Sequence, residues 1–466
     1  MQNPPFVKKF DFRGVYNKDI VDADAFYLAH AFIKTLLLKK VLIGWDTRAS
    51  SKTLAFNFIQ ALKDTDIEIC FLDTVPIDYV TASAYTFDFD LSVMFTASHN
   101  PWDWTGMLIH TQKGESLQGE IVETIIKNYY ELKSIEYSAP SFELSQFTDF
   151  LATIEEVYTK KIQSLLPLHE IKNLQVAVDI GDGSGSKSLS ILEKILPQVT
   201  FIRINDRGTY DANTPHQADP SELKNMHQVI EAVKNERYDC GFAFDSDGDR
   251  VLAVDEKGTY LNGSILASGL IECFLMLGFS SHTIGYAVEC GPALYNAVTD
   301  LQKTSDHTIN IQPIVVGRSL VRKMVQDGEI EMGVENVGHF YVKDFFMTDS
   351  GIFSLAVILY WISMNGELSK LSKKNPDGRR SHGSIPLDTK NEEMIAQIAT
   401  NITEHFESKE IKKIEVDGQR CEIFDGERME SWYAMRKSGY EAKEKFYFGS
   451  LNDDDFAFLD EQFQKV

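Results

Sequence analysis

Cysteine is scarce: Cys70, Cys240, Cys273, Cys290 and Cys421 are scattered over 466 positions with no C-x-x-C pair. That scatter argues against a disulfide framework and a cysteine-ligated zinc site, and fits reduced thiols in a cytoplasmic protein. Long hydrophobic runs are also missing. The longest, Gly351 to Met364, falls short of the roughly 20 residues that cross a bilayer and is interrupted by Ser354 and Ser363, so it reads as a buried helix. The opening MQNPPFVKKFDFRG lacks the apolar stretch of a secretory signal. Positive charge is in deficit, with 46 Lys and Arg against 69 Asp and Glu and a net charge of −23. Such a field repels nucleic acid and anionic membranes, so neither is an expected partner. A few local cations can still hold a small phosphorylated ligand.

What is present is the balance of a packed protein, 43% hydrophobic and 25% charged, in a chain too long for one core. An internal repeat sets the expected architecture. Three times an apolar strand is followed by a helical stretch, a second strand and a third strand that runs into a polar loop. The first strands are Val41 to Asp46, Val176 to Gly181 and Ile284 to Cys290; the second are Ile67 to Asp73, Phe201 to Asn205 and Ile309 to Val316. The third are LSVMF before TASHNP, CGFAF before DSDGDR, and IEMGV before ENVGHF. Strands joined through helices predict parallel pairing, with ligands bound beyond the strands' carboxyl ends. From about Lys373 the pattern changes to a polar, turn-rich linker (KKNPDGRRSHGSIPLD), then a helix and strands around Lys413 to Phe424. The expected fold is therefore α/β: three similar domains with mixed, largely parallel sheets and a smaller C-terminal α+β domain around a central cleft. The expected boundaries are 1–145, 146–258, 259–372 and 373–466.

Each loop carries a different chemistry. In Thr96 to Pro101, Ser98 stands beside His99, a hydroxyl next to a possible activator, although a Ser/Asn turn with an incidental histidine has the same composition. Asp245, Asp247 and Asp249 alternate before Arg250, so in an extended loop they turn toward one cation. Glycine is missing from the sixth position of that loop, which excludes an EF-hand, and oxygen ligands with a phosphate suit Mg²⁺. In the third loop Glu335 can accept from sugar hydroxyls and His339 can donate to them. Near the C-terminus Arg436, Lys437, Ser438 and Gly439 offer cations, a hydroxyl and free N–H groups, a turn suited to phosphate.

Taken in this order, TASHNP, DSDGDR, the glutamate–glycine–histidine loop and the RKSG turn resemble the α-D-phosphohexomutases, in particular the bacterial phosphomannomutase/phosphoglucomutase branch. FDFRGVY with Arg13 and IGWDTRASS with Arg48 and Ser50 extend the resemblance over essentially the whole chain. It implies an intramolecular phosphotransferase of the cytoplasm, a monomer or weak dimer, that moves phosphate between O1 and O6 of a hexose, mannose or glucose. The route is a phosphoserine and a hexose 1,6-bisphosphate. It further implies catalytic roles for Ser98, His99, Arg13 and Arg250, and Mg²⁺ on Asp245, Asp247, Asp249 and a Ser98 phosphoryl oxygen. Substrate contacts fall on Gly317, Arg318, Glu335, Asn336, His339, Arg436, Ser438, Gly439 and Tyr440.

Four segments depart from that pattern, at five positions. The lysine expected ten residues after the serine is Leu108, which cannot move a proton, and the lysine expected after the third domain's first strand is Glu289. Val337 stands for a serine in the sugar loop, and Tyr440 and Ala442 replace threonine and proline in the clamp. Two accounts follow. In one the enzyme is active and His110, two residues from Leu108 on an extended segment and so on the same face, serves as the base. In the other the serine and metal sites survive while turnover is poor, leaving a regulatory or sugar-phosphate-binding protein.

Overall fold

The computed structural model describes residues 3–8, 11–117, 119–279, 282–304, 308–386, 389–437 and 443–464. The repeat is realised as three sheets with one shared strand order. In the first, Glu68–Thr74, Lys40–Trp45, Leu91–Phe95 and Trp104–Thr111 lie side by side; in the second, Val199–Ile204, Leu174–Asp179, Cys240–Phe244 and Val251–Asp255; in the third, Asn310–Ile314, Thr283–Ala287, Met332–Glu335 and His339–Val342. In each sheet the first three strands pair in parallel and the fourth returns antiparallel to the third. Helices Ala49–Leu62 and Ile77–Thr86, Gly185–Ile195 and His227–Glu236, and Pro292–Thr304 and Arg318–Gln326 make the crossovers. The central strands are apolar and buried apart from the half-buried Lys40 that opens the first sheet's strand, as parallel strands covered on both faces must be.

Each ligand-rich loop is thus a hairpin turn between the third strand and its antiparallel return, a feature the repeat alone did not disclose. The first sheet also takes in Thr148–Asp149 beside Glu68–Thr74, so it runs past the expected boundary at residue 145. The segment expected to be a linker contains the strand Arg379–Pro386, paired antiparallel with Lys443–Ser450 at the edge of a fourth, antiparallel sheet. It is polar because it is an edge strand with half of its residues exposed and only Ile385 buried. Gly351–Asn365 is the expected buried helix, and no described helix is long and apolar enough to cross a membrane. All five cysteines are buried and unbridged. Contacts divide the chain into two units, residues 1–258 with 348–356 and residues 259–347 with 357–466.

Candidate active site

In the first unit the strand Leu91–Phe95 ends at the serine loop. Ser98 is only 6% exposed and has φ +49°, a left-handed conformation that strains a residue with a Cβ. Four hydrogen bonds hold it there. Its N–H donates to Thr96 Oγ1 (2.9 Å), whose own hydroxyl donates to Asp247 Oδ2 (3.0 Å). Its carbonyl accepts from Arg48 Nη2 (2.7 Å) and Ser246 Oγ (2.5 Å). The hydroxyl itself donates to Asp245 Oδ2 at 3.1 Å and lies 3.4 Å from His99 Nδ1. Strain concentrated on one hydroxyl-bearing residue, with the backbone pinned on both sides, is the arrangement of a positioned nucleophile.

The acidic loop turns at Gly248, where φ is +78°. Carboxylate oxygens of Asp245, Asp247 and Asp249 lie within 4.8 Å of one another, all three side chains being buried. Asp247 Oδ1 has no hydrogen-bond partner among the described residues. Three buried anionic oxygens this close repel one another unless a cation joins them, so the donor set fits a hard divalent ion. Arg250 closes the loop: its N–H donates to Asp245 Oδ1 (3.1 Å), and its guanidinium stands 3.4 Å from Asp245 Oδ2 and 2.5 Å from His99 Nδ1. Burial opposes the Arg250 charge, but Asp245, Asp219, Asp249 and Asp247 together hold its pKa above the ordinary value. Because an arginine only donates, His99 Nδ1 is the acceptor in that contact.

Arg13 and Arg48 also reach the serine loop. Arg13 Nη1 donates to Asn100 Oδ1 (2.9 Å) and Nη2 pairs with Asp11 (2.8 Å). Arg48, 1% exposed, bonds the carbonyls of Ser98 and Asn100 and pairs with Asp46 at 2.8 Å. Burial pushes the Asp46 carboxyl up against the downward pull of Arg48.

His110 does not join them. On the return strand Leu108 faces Met94 and His110 faces Ser92. The antiparallel strand therefore carries His110 away from Ser98 by about 3.3 Å per residue. His110 is buried opposite Ser92, two residues farther from the serine loop than Leu108, so the expectation that it replaces the missing lysine is corrected.

The second unit gathers the sugar and phosphate candidates. Glu335 ends one strand and His339 begins the next, with Nε2 3.9 Å from Glu335 Oε2. Glu335 Oε1 accepts from the Gly317 N–H (3.0 Å), which places Gly317 and the first residue of the following helix, Arg318, at the same loop. Asn336 turns instead toward the protein interior, where its Oδ1 accepts from the N–H (3.1 Å) and hydroxyl (2.8 Å) of Ser264 and fixes the start of helix Gly263–Leu277. Arg436 pairs with Asp417 at 3.2 Å, and its buried Nε has no partner among the described residues. Ser438, Gly439 and Tyr440 lie outside the described residues.

Glu289 sits in the turn after Thr283–Ala287, 5% exposed, and its Oε2 has no hydrogen-bond partner among the described residues. Burial and then the Glu335 charge push its pKa from 4.5 up to about 7, against the pull of Arg436 and Arg380. The folded protein then binds a proton that the unfolded chain releases, so this residue's contribution to stability falls as pH rises from about 4.5 to about 7. Glu289→Gln should be more stable than the parent at pH 8, with the difference shrinking toward pH 5. Urea midpoints at the two pH values check the sign. A variant less stable than the parent at pH 8 overturns it.

Sequence reasoning named Arg48 only within a matching segment and passed over Thr96, Ser246 and Gln217, whose side chain donates to the His99 carbonyl at 2.7 Å. One usable signal was the repeat itself: Asp46, Asp179 and Glu289 all stand at the ends of first strands, and all three are buried acids.

Models of the phosphoglucomutase/phosphomannomutase α/β/α domains I, II and III match residues 6–136, 156–258 and 293–377. The chain is 28% identical over 93% of its length to a phosphomannomutase of Methanocaldococcus jannaschii, covering 91% of that protein. It is likewise 28% identical to a phosphoglucosamine mutase of Caldicellulosiruptor bescii, over 78% of this chain and 79% of that one. A crystal structure of a phosphoglucomutase/phosphomannomutase family protein from Burkholderia thailandensis superposes with TM-score 0.80 at 22% identity, covering 100% of this chain and 97% of the other.

Proposed function

We propose, for a chain that belongs to the phosphoglucomutase/phosphomannomutase family of isomerases, that it interconverts hexose 1-phosphate and hexose 6-phosphate, of mannose or glucose, through a phosphoserine at Ser98 and a hexose 1,6-bisphosphate. The observation that carries this reading is the Ser98 hydroxyl, strained and buried between His99 and the acidic loop. In each half-reaction one P–O bond breaks and one forms: in the first the sugar hydroxyl takes the phosphoryl group from Ser98 and loses its proton while Ser98 Oγ regains one, and in the second Ser98 Oγ takes the phosphoryl group from the other position of the bisphosphate and gives its proton back to the sugar oxygen left behind. His99, 3.4 Å from Oγ, is the group we assign to exchange that proton, with Arg250 competing for the same nitrogen. Asp245, Asp247 and Asp249 would hold Mg²⁺ together with a phosphoserine oxygen, an ion that supplies charge neutralisation to the phosphoryl group. Arg250 and Arg13 add fixed cations at the same loop.

The test is intact-mass spectrometry of the purified protein, followed by coupled assays with glucose 1-phosphate and mannose 1-phosphate. One phosphate on Ser98, present at isolation or restored by a hexose 1,6-bisphosphate, together with turnover supports the reading. Neither phosphate nor turnover leaves a sugar-phosphate binder. The distal phosphate is assigned to Arg436, whose fork matches phosphate oxygens bidentately. Arg436→Ala should raise KM for the sugar phosphate by about 10- to 10²-fold while Ser98 still accepts phosphate. An unchanged KM removes Arg436 from the clamp.

Glu289 favours a second reading of the substrate. A buried carboxylate oxygen without a hydrogen-bond partner among the described residues, beside a second carboxylate at Glu335, is suited to a substrate ammonium, so a 2-amino sugar phosphate is the alternative. Relatives named phosphoglucosamine mutases are consistent with it. Comparing glucosamine 6-phosphate with glucose 6-phosphate in the parent and in Glu289→Gln decides between them.

A further inference from the structure

Four consecutive residues of the first unit, His216 to Asp219, form a strap of which Gln217, Ala218 and Asp219 reach the His99 carbonyl, Tyr210 and Arg250, and none of the four belongs to the nucleophile or to the acidic cluster. Gln217 Nε2 donates to the carbonyl of His99 at 2.7 Å. The Ala218 N–H donates to the Tyr210 hydroxyl (3.2 Å), and the Tyr210 ring lies under the Arg48 guanidinium at 4.7 Å. Asp219 stands 3.8 Å from Arg250. His216 is the anchor: Nε2 lies 2.9 Å from Asp179 Oδ2 and Nδ1 2.9 Å from the Gln217 carbonyl oxygen. A carboxylate and a carbonyl only accept, so both ring nitrogens must donate, which only the imidazolium can do. Asn205 Nδ2, 3.2 Å from the same Nε2, directs its two hydrogens to Asp179 and Gln228 instead.

We propose that His216, held as an imidazolium by Asp179, is a positioning residue that fixes Gln217 on the His99 carbonyl and thereby sets the serine loop. The chain of contacts is continuous: Asp179 to the ring, the ring to the Gln217 backbone, and the Gln217 carboxamide to the residue next to Ser98. The charged groups facing the ring are Asp179 and, beyond it, Asp182, which Arg207 pairs at 2.6 Å; on the strap's other side Asp219 faces Arg250. Burial opposes the charge on His216, but Asp179, the Gln217 carbonyl and Asp182 raise its pKa above 6.5. Deprotonation at higher pH removes one of the two donors, releases the Gln217 carbonyl, and loosens the loop without touching the nucleophile.

The inference rests on the assignment of Ser98 as phosphoryl carrier, and its test has one arm that needs no turnover. In the kinetic arm, Gln217→Ala and His216→Ala should each lower kcat by about 10- to 10²-fold with little change in KM, the cost expected when a reacting group is misplaced. The double variant should be no slower than the worse single one, because both act through one contact. The parent should show a decline of kcat on the alkaline side that both variants lack. In the second arm, amide hydrogen exchange at residues 96–101, corrected for intrinsic base catalysis, should accelerate in both variants and, in the parent, as pH rises past the His216 transition. Additive kinetic losses, an alkaline decline that persists in both variants, or unchanged exchange at 96–101 would overturn the proposal. Gln217 is half-buried on the surface of the strap, so its variant reports even where His216→Ala fails to fold. If the parent turns over no hexose phosphate, the functional reading fails and the exchange arm still decides this one.

Discussion

Ser98→Ala should lower hexose-phosphate turnover by at least about 10³-fold, because on the proposed route it removes the hydroxyl that carries the phosphoryl group between two sugar positions. The loss should be in chemistry rather than in folding. The strained backbone at φ +49° is held through the Ser98 N–H and carbonyl, both of which alanine retains. The lost hydroxyl leaves Asp245 Oδ2 without one donor, yet Arg250 still stands against the same oxygen. The variant should therefore melt close to the parent and never show added phosphate by intact mass. Turnover above about a tenth of the parent would mean that phosphate moves by another route, since losing a covalent step costs several kcal/mol of barrier.

The parts of this architecture that could be read directly are those in which burial and periodicity agree. LSVMF and CGFAF are buried at every position, as strands covered on both faces should be, so the repeat was visible as three apolar runs. Arg379–Pro386 was read as a linker because an edge strand with a largely exposed face has no apolar run to reveal it. His110 was assigned to the right kind of element and, by the two-residue period, to the same face as Leu108. The error was one of direction: the strand returns antiparallel, so each step beyond Leu108 leads away from the loop. Ser98, the three aspartates and Arg250 were legible because their chemistry is written in adjacent residues. Gln217 was not, because it meets His99 across 118 positions of chain and offers only an ordinary carboxamide.

Arg48 tests how much of the site's order comes from the first unit's own interior. Its guanidinium is 1% exposed and is shared among Asp46 Oδ2 (2.8 Å), Ser246 Oγ (3.2 Å) and the carbonyls of Ser98 (2.7 Å) and Asn100 (2.6 Å). Arg48→Met keeps much of the volume and removes every donor. Ser98 keeps Ser246 as a donor, but Asp46 is left as a buried carboxyl without its cation, and breaking such a pair costs about 3–5 kcal/mol. Urea denaturation of Arg48→Met should show that loss, and Arg48→Lys should recover only part of it, because one ammonium cannot serve partners arranged around a planar fork. Adding Asp46→Asn to Arg48→Met should restore stability by removing the stranded charge, while kcat stays low because the Ser98 carbonyl is then held by Ser246 alone and the Asn100 carbonyl by the 3.4 Å contact of the Tyr210 hydroxyl alone. If Arg48→Met shifts stability by less than about 1 kcal/mol, the pair is not what orders the loop. If the double variant recovers kcat along with stability, the guanidinium's role is electrostatic compensation of Asp46 and not placement of the nucleophile.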